Sequence, residues 1–258
     1  MKPPKDLYSN PEYYEIAFSF RDMKREVSVF EECFRRYSKI PVRRVLDIGC
    51  GPSPHLEELT QRGYEYVGLD RNEAALDYAR KKAQALGRTS TFVQADMRRF
   101  QLDKPVDFAF TMLGSLSVET ADDVLLHFAA LAKALNSGGL YFLDWCINFQ
   151  WDEPSGTDQW TIEQEGIKVT VTFAQERTID RAAQLSRHKL RAEVNDHGRV
   201  LHLETVEVKR IIFPEEFLLL VRKSGAFEFV GWWNNWNLDE PIEQAAHIDR
   251  PITIIRRI

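Results

Sequence analysis

The run Val45-Leu46-Asp47-Ile48-Gly49-Cys50-Gly51-Pro52-Ser53 carries an apolar segment straight into a glycine-rich turn. Glycines at such a turn let the backbone approach a ligand closely. Asp70 follows Asp47 by 23 residues and ends the next apolar run, Tyr66-Val67-Gly68-Leu69. An acid in that place can take both hydroxyls of a ribose. These residues predict a nucleoside site at the carboxyl ends of two parallel strands. A dinucleotide site expects G-x-G-x-x-G, with its pyrophosphate on helix N–H groups. Here Pro54 stands at the third glycine position, and Pro52 and Pro54 have no N–H to give. A nucleoside ligand with no phosphate at that turn fits better.

The elements that would position these residues follow from the apolar rhythm. Asn10 and Pro11 start a helical reading over residues 11–40, with Met23, Val27, Phe30 and Phe34 at helical spacing and Pro41 at its close. From 44 to 145, short apolar runs alternate with helical stretches. The runs are Val45–Ile48, Tyr66–Leu69, Thr91–Val93, Phe108–Phe110 and Leu140–Leu143. Asn72 caps the helix that ends before Gly87. The stripe from Val124 to Leu135 is read as ending at Gly138-Gly139. Such alternation means βαβ units and a mostly parallel sheet. Residues 160–213 change to period two, with Ile167, Val169, Val171 and Phe173 on one face and a turn at Asn195-Asp196-His197-Gly198. The α/β rhythm returns with a helix from Pro214 to Lys223 and strands at Phe227–Trp233 and Ile252–Ile255. The reading is an α/β chain in three parts: an N-terminal helical lid (1–40), a discontinuous main domain (41–150 and 214–258), and an inserted antiparallel sheet (151–213).

With these motifs in this order, the sequence resembles the class I S-adenosylmethionine-dependent methyltransferases, over roughly residues 10–150 and 214–258. The resemblance implies a Rossmann-like seven-stranded, mostly parallel sheet, with S-adenosylmethionine as cofactor. It implies that Asp47, Gly49, Cys50 and Gly51 wrap the methionine part of the cofactor. Asp70, with Arg71 beside it, would meet the ribose. Asp96 would bind the adenine amino group and the Met97 backbone the adjoining ring nitrogen. Met112-Leu113-Gly114-Ser115 would line the cofactor and its methyl group. Ser53 stands where the family often has a third glycine, and it could cap a helix over Pro54–Leu59.

A narrower resemblance is to glycine N-methyltransferase and the nucleotide-amino-sugar N,N-dimethyltransferases. It rests on the tyrosine pair in Glu12-Tyr13-Tyr14-Glu15 of an N-terminal helix and on the antiparallel insert after the fifth strand. It implies that Tyr14 reaches the cofactor or acceptor as a catalytic residue, and that Arg21 meets the cofactor carboxylate. The amino-sugar enzymes carry a histidine after the fourth strand; this chain has Gly114-Ser115-Leu116-Ser117-Val118 there.

Composition narrows the rest. The 258 residues are 44% hydrophobic and 28% charged, an ordinary balance for a globular protein. No apolar run approaches the ~20 residues of a membrane helix, and no signal-peptide pattern follows Met1. Lys+Arg number 34 against 39 Asp+Glu, a net charge of −5 with no basic stripe, which argues against a nucleic-acid surface. Three scattered cysteines make neither a disulfide framework nor a CxxC metal site, so no metal and a cytoplasmic location are expected. All six tryptophans lie from Trp145 onward. Trp145 and Asn148 follow the fifth strand, Trp232 and Trp233 end the sixth, and Ser115 and Asp144 lie nearby. These are the expected substrate-binding residues, and aromatic walls suit a small organic acceptor, a cationic amine included. His55 and His127 read as helix residues without a metal or base role.

In-line methyl transfer to an amine needs alignment and dryness, whereas a hydroxyl normally needs a base. The expectation is therefore a small-molecule methyltransferase acting on an amine, and a homodimer paired through the insert. The alternatives are O-methylation of a small hydroxyl compound, a non-catalytic S-adenosylmethionine-binding subunit, and a nicotinamide oxidoreductase on a similar sheet.

Overall fold

The computed structural model describes residues 6–150 and 156–258; Trp151 lies outside them. Pro11 takes the first position of helix α1 (Pro11–Ala17), and helix α2 (Met23–Tyr37) starts at Asp22, whose carboxylate accepts the Arg25 N–H. The one helix expected over 11–40 is thus broken at residues 18–22, because Asp22 caps a new start. The expected lid divides with it. α2 is core: Phe30 is fully buried, with its ring 5.1, 4.9 and 5.0 Å from those of Phe108, Phe110 and Phe142. Burial on this scale contributes about 1.5–3 kcal/mol per large apolar side chain.

Strands β1 (Arg44–Ile48), β2 (Glu65–Asp70), β3 (Ser90–Gln94), β4 (Val106–Thr111) and β5 (Leu135–Asp144) are the apolar runs of the sequence. They are linked by α3 (Leu56–Gln61), α4 (Glu73–Ala85) and α5 (Ala121–Ala134). Helix α6 (Pro214–Ser224) leads to β10 (Phe227–Trp233) and β11 (Ile252–Arg257), which complete a seven-stranded sheet in the order β10-β11-β5-β4-β1-β2-β3. β1 to β5 pair in parallel, and β11 runs against both of its neighbours. The chain leaves β1 through β2 and β3, then returns to β4 on the other side of β1. That reversal opens a crevice at the carboxyl ends of the strands. Asn72 caps α4 as expected, through the Ala74 and Ala75 N–H groups. The expected stop at Gly138-Gly139 is displaced: α5 passes directly into β5, and both glycines lie within the strand, where the Gly138 carbonyl accepts the Lys39 N–H.

Strands β6 (Thr157–Gln164), β7 (Ile167–Asp180), β8 (Leu185–Asp196) and β9 (Arg199–Arg210) form a separate antiparallel sheet in chain order. Its period-two pattern turns Val169, Val171, Ala192, Val194 and Leu203 inward. They pack against Leu7, Ile16 and Ala17 of the N-terminal segment. The chain from Leu7 through α1 is thereby clamped between this sheet and α4, where Tyr78 and Lys82 both reach Glu15.

Candidate active site

The crevice is built first from the turn after β1. Gly49 and Gly51 have φ of +72° and +51°, a region in which side chains are strained. The Gly49 and Cys50 N–H groups both donate to the Leu69 carbonyl, at 2.8 and 3.0 Å, and the Gly51 N–H donates to Asp70 Oδ2 at 2.8 Å. The turn is therefore bound to the end of β2. A Cβ on Gly49 would stand 3.5 Å from the Ser115 Cβ and 3.9 Å from the Met97 methyl, filling the gap they leave. A Cβ on Gly51 would meet nothing within 4 Å and would project into the mouth.

A cavity opens at this turn, lined by Gly49, Gly51, Asp70, Arg71, Asp96 and Met97 with Tyr14 and Ser115 across it. Asp96 accepts the Arg98 N–H at 2.8 Å and the Arg98 guanidinium at 2.6 Å. Those hydrogen bonds hold its carboxyl down at about 2. Met97 is held from behind. His127 Nδ1 lies 2.9 Å from the Met97 carbonyl and its Nε2 2.9 Å from the Tyr141 hydroxyl, which reaches Thr111 at 2.8 Å. A carbonyl only accepts, so Nδ1 carries the proton and Nε2 accepts. Burial pushes His127 down to about 4, which keeps it neutral. His127 thus fixes the loop of Met97.

A second and larger cavity, about 570 Å³, adjoins the first. One wall is aromatic, with Phe18, Trp160 and Phe173; Trp145, Asn148 and Arg21 line it elsewhere. Tyr8, Tyr14, Ser115, Glu207 and Lys209 line both cavities, and so mark where they meet. Tyr14 is half-buried between the rings of Tyr8 and Phe18, at 5.7 and 4.5 Å, and desolvation pushes its hydroxyl up to about 12.

Six expected site residues line neither cavity. Asp47 is 2% exposed behind the turn, accepts the Tyr66 hydroxyl at 2.7 Å, and is pushed by burial to about 7. Cys50 and Met112 are buried in the core, which burial makes an inert place for the Cys50 thiol. Asp144 is fully buried. Its carboxylate takes the Arg250 guanidinium at 2.6 and 2.8 Å, the Trp236 indole N–H at 2.9 Å and the Leu113 N–H at 2.8 Å, leaving it no role with a ligand. Trp232 and Trp233 sit on the edge strand β10. One donates to Glu243 and the other packs on Tyr37 at 5.0 Å. Arg21 is engaged by Glu26, at 2.5 and 3.1 Å. Ser53 does not cap a helix: α3 begins at Leu56, and Ser53 is buried with φ +55°. The sequence reading missed Tyr8, Glu207 and Lys209. Glu207 and Lys209 alternate with apolar residues on β9, so only the packing of that sheet shows that they face inward.

Residues 45–139 match the family model of a methyltransferase domain. The chain carries a methyltransferase domain. It is 26% identical over 176 residues to a dTDP-3-amino-3,4,6-trideoxy-alpha-D-glucopyranose N,N-dimethyltransferase of Streptomyces venezuelae, covering 67% of this chain and 70% of that protein. It is 31% identical over 118 residues to a ubiquinone biosynthesis O-methyltransferase of Nitrosococcus oceani, of which it spans about half, 47%. An S-adenosylmethionine-dependent methyltransferase from Clostridium acetobutylicum shares the fold with a TM-score of 0.77, 16% identity and 95% of each chain covered. So does an amino pentose methyltransferase from Micromonospora echinaspora, at a TM-score of 0.72 and 20% identity over 95% and 96% of the two chains.

The cofactor of such a domain is S-adenosylmethionine, and the crevice of this methyltransferase domain fits it. Gly49 leaves a gap beside Ser115 and Met97 that a side chain would fill, and Asp70, an acid at the end of β2 of the kind that takes ribose hydroxyls, lines the same cavity. The loop of Asp96 and Met97 lines the same cavity, with the Asp96 carboxylate held by Arg98.

Proposed function

We propose that the chain transfers a methyl group from S-adenosylmethionine to an amine of a small molecule. The observation that carries this reading is the junction of the two cavities. The smaller one ends at the glycine turn, the larger one has room for an organic acceptor, and five residues border both. Kinship with an amino-sugar N,N-dimethyltransferase supports the amine.

The cofactor supplies an electrophilic methyl group on a sulfonium. What the protein does is hold and exclude. Asp70 and the Gly49–Gly51 turn bind the nucleoside and methionine ends, and Asp96 and Met97 bind the base. Tyr14 and Tyr8 close the junction from the N-terminal segment. They keep water from it and align the acceptor with Ser115 opposite. Trp145, Asn148 and the aromatic wall hold the body of the acceptor.

No helix among the described residues is long and apolar enough to cross a membrane. A cytoplasmic setting suits Cys33 and Cys50, free thiols that burial pushes upward. We place a homodimer contact on the outward face of the inserted sheet. Sedimentation at micromolar concentration tests it, a 30.0 kDa species being the adverse result.

The test of the activity is incubation with methyl-labelled cofactor and matched panels of small primary amines and alcohols. Label is expected on amines. Label on alcohols alone would replace the reading with O-methylation.

A further inference from the structure

The inner face of the inserted sheet is apolar where α1 covers it, then turns polar where it borders the cavities. In register across the sheet, Gln175, His188 and Glu207 form one row, and Ser186 pairs with Lys209 in the next. All five line the larger cavity. A sheet face that buries such groups without need loses stability, so a ligand is the economical reason for them.

Glu207 and Lys209 also line the smaller cavity, which puts both at the junction. Glu207 Oε2 takes Lys209 Nζ at 2.9 Å and the Tyr8 hydroxyl at 3.3 Å. Its Oε1 lies 3.5 Å from the Arg71 guanidinium. That arginine side chain is 70% exposed. Oε1 therefore keeps capacity to accept a hydrogen bond. Burial pushes the carboxyl up, but Lys209 and Arg71 outweigh it and hold Glu207 below its ordinary range, so it stays ionised. Of the side chains shared by both cavities, Glu207 is the one acid.

When a neutral amine is methylated, its lone pair forms the nitrogen–carbon bond as the sulfur–methyl bond breaks, S-adenosylhomocysteine leaves, and the positive charge that sulfur loses appears on nitrogen. A fixed carboxylate beside that nitrogen is worth most at the moment the charge arrives. We propose that Glu207 is the group that touches the acceptor nitrogen: Oε1 accepts an N–H of the amine, turns its lone pair toward the methyl donor, and stabilises the ammonium as it forms. The proposal rests on the amine reading above and names what selects an amine over a hydroxyl. A hydroxyl acceptor would instead give its proton to this carboxylate and leave as a neutral ether, so only an amine leaves a charge that an ionised Glu207 stabilises. Lys209 holds Glu207 in place through Oε2 and ties it to the Gly114 carbonyl at 3.2 Å, next to Ser115.

The test uses the full chain saturated with S-adenosylhomocysteine. Benzylammonium serves as a probe of the charged state and benzyl alcohol as its neutral match, both titrated calorimetrically. Benzylammonium is expected to bind roughly ten- to a hundred-fold tighter to the native chain than to Glu207→Gln, the range of a hydrogen bond to a charged group. Benzyl alcohol and S-adenosylhomocysteine are expected to bind both proteins alike, which also shows that the variant is folded. Glu207→Asp, which keeps the charge, is expected to recover part of the preference. Equal benzylammonium affinity in the native and Gln proteins, or no preference for it over benzyl alcohol in the native protein, overturns the proposal. Methyl transfer measured in parallel separates the two claims. Amines methylated equally by the native and Gln proteins remove Glu207 and leave the amine reading standing. Methylation of alcohols alone removes the amine reading itself.

Discussion

Acid should loosen this fold through His127, and the size of the effect can be worked out. Its neutral imidazole bridges the Met97 carbonyl and the Tyr141 hydroxyl, and burial lowers it from 6.5 to about 4. The folded state thus binds this proton less readily than the unfolded chain does. The histidine's share of stability is complete above pH 6.5 and is lost as pH falls toward about 4. At pH 5 the unfolded histidine is almost fully protonated and the folded one is not, which costs about 2 kcal/mol relative to pH 8. For a chain of this size that is about 4–8 °C in the unfolding midpoint. His188, also lowered to about 4 by burial and then by Lys209, adds a loss of the same sign. His127→Gln isolates the first share. It should be less stable at pH 8, by about 1–3 kcal/mol for imperfectly paired buried groups, yet lose about 2 kcal/mol less than the native chain between pH 8 and pH 5. Urea unfolding at the two pH values measures both quantities. Parallel pH profiles for the native and variant chains would refute the reasoning, since the acid loss would then come from other groups.

Glu26→Gln should cost about 3–5 kcal/mol, because Glu26 is 5% exposed and binds Arg21, His55 and Arg250, so the substitution leaves buried positive charge without its partner. Urea unfolding at neutral pH checks this; a loss under about 1 kcal/mol would mean the network relaxes into water. Tyr14→Phe should lower the rate of methyl transfer by more than it weakens cofactor binding, because Tyr14 lines both cavities at their junction. Equal turnover by the variant in single-turnover kinetics would remove the hydroxyl from the mechanism.

The first sheet was legible in the sequence because parallel strands buried on both faces read as near-continuous apolar runs: Leu140–Leu143 of β5 is fully buried at every position. Four residues of the smaller cavity, Gly49, Gly51, Asp70 and Asp96, were legible because they follow directly from where strands stop. The acceptor end was harder to read. Asp144 stands at the end of β5 as a site residue would, but Arg250, 106 positions later, claims its carboxylate. The Trp232-Trp233 pair ends a strand on the correct side of the sheet, but that strand is the outermost one. In β9, alternation gave two candidate faces, and which of them is wet depends on α1 packing over one. Only that packing turns Glu207 inward. The break between α1 and α2 carries a signal, Asp22 as a cap, whereas the apolar spacings from Met23 to Phe34 all lie after it and say nothing of the segment before.

The most direct test of the central claim is calorimetric titration of one preparation with S-adenosylmethionine, S-adenosylhomocysteine and NADH, repeated with Asp70→Ala. Asp70 lines the cavity, and its carboxylate also takes the Gly51 and Asn72 N–H groups at 2.8 Å each. Loss of its bonds to ribose should weaken binding at least ten-fold, at about 1.5–3 kcal/mol per hydrogen bond to a charged group. The account predicts that the native chain binds both adenosyl ligands, binds no NADH, and loses the adenosyl affinity in the variant. Binding of NADH alone, or adenosyl binding untouched by Asp70→Ala, would contradict it.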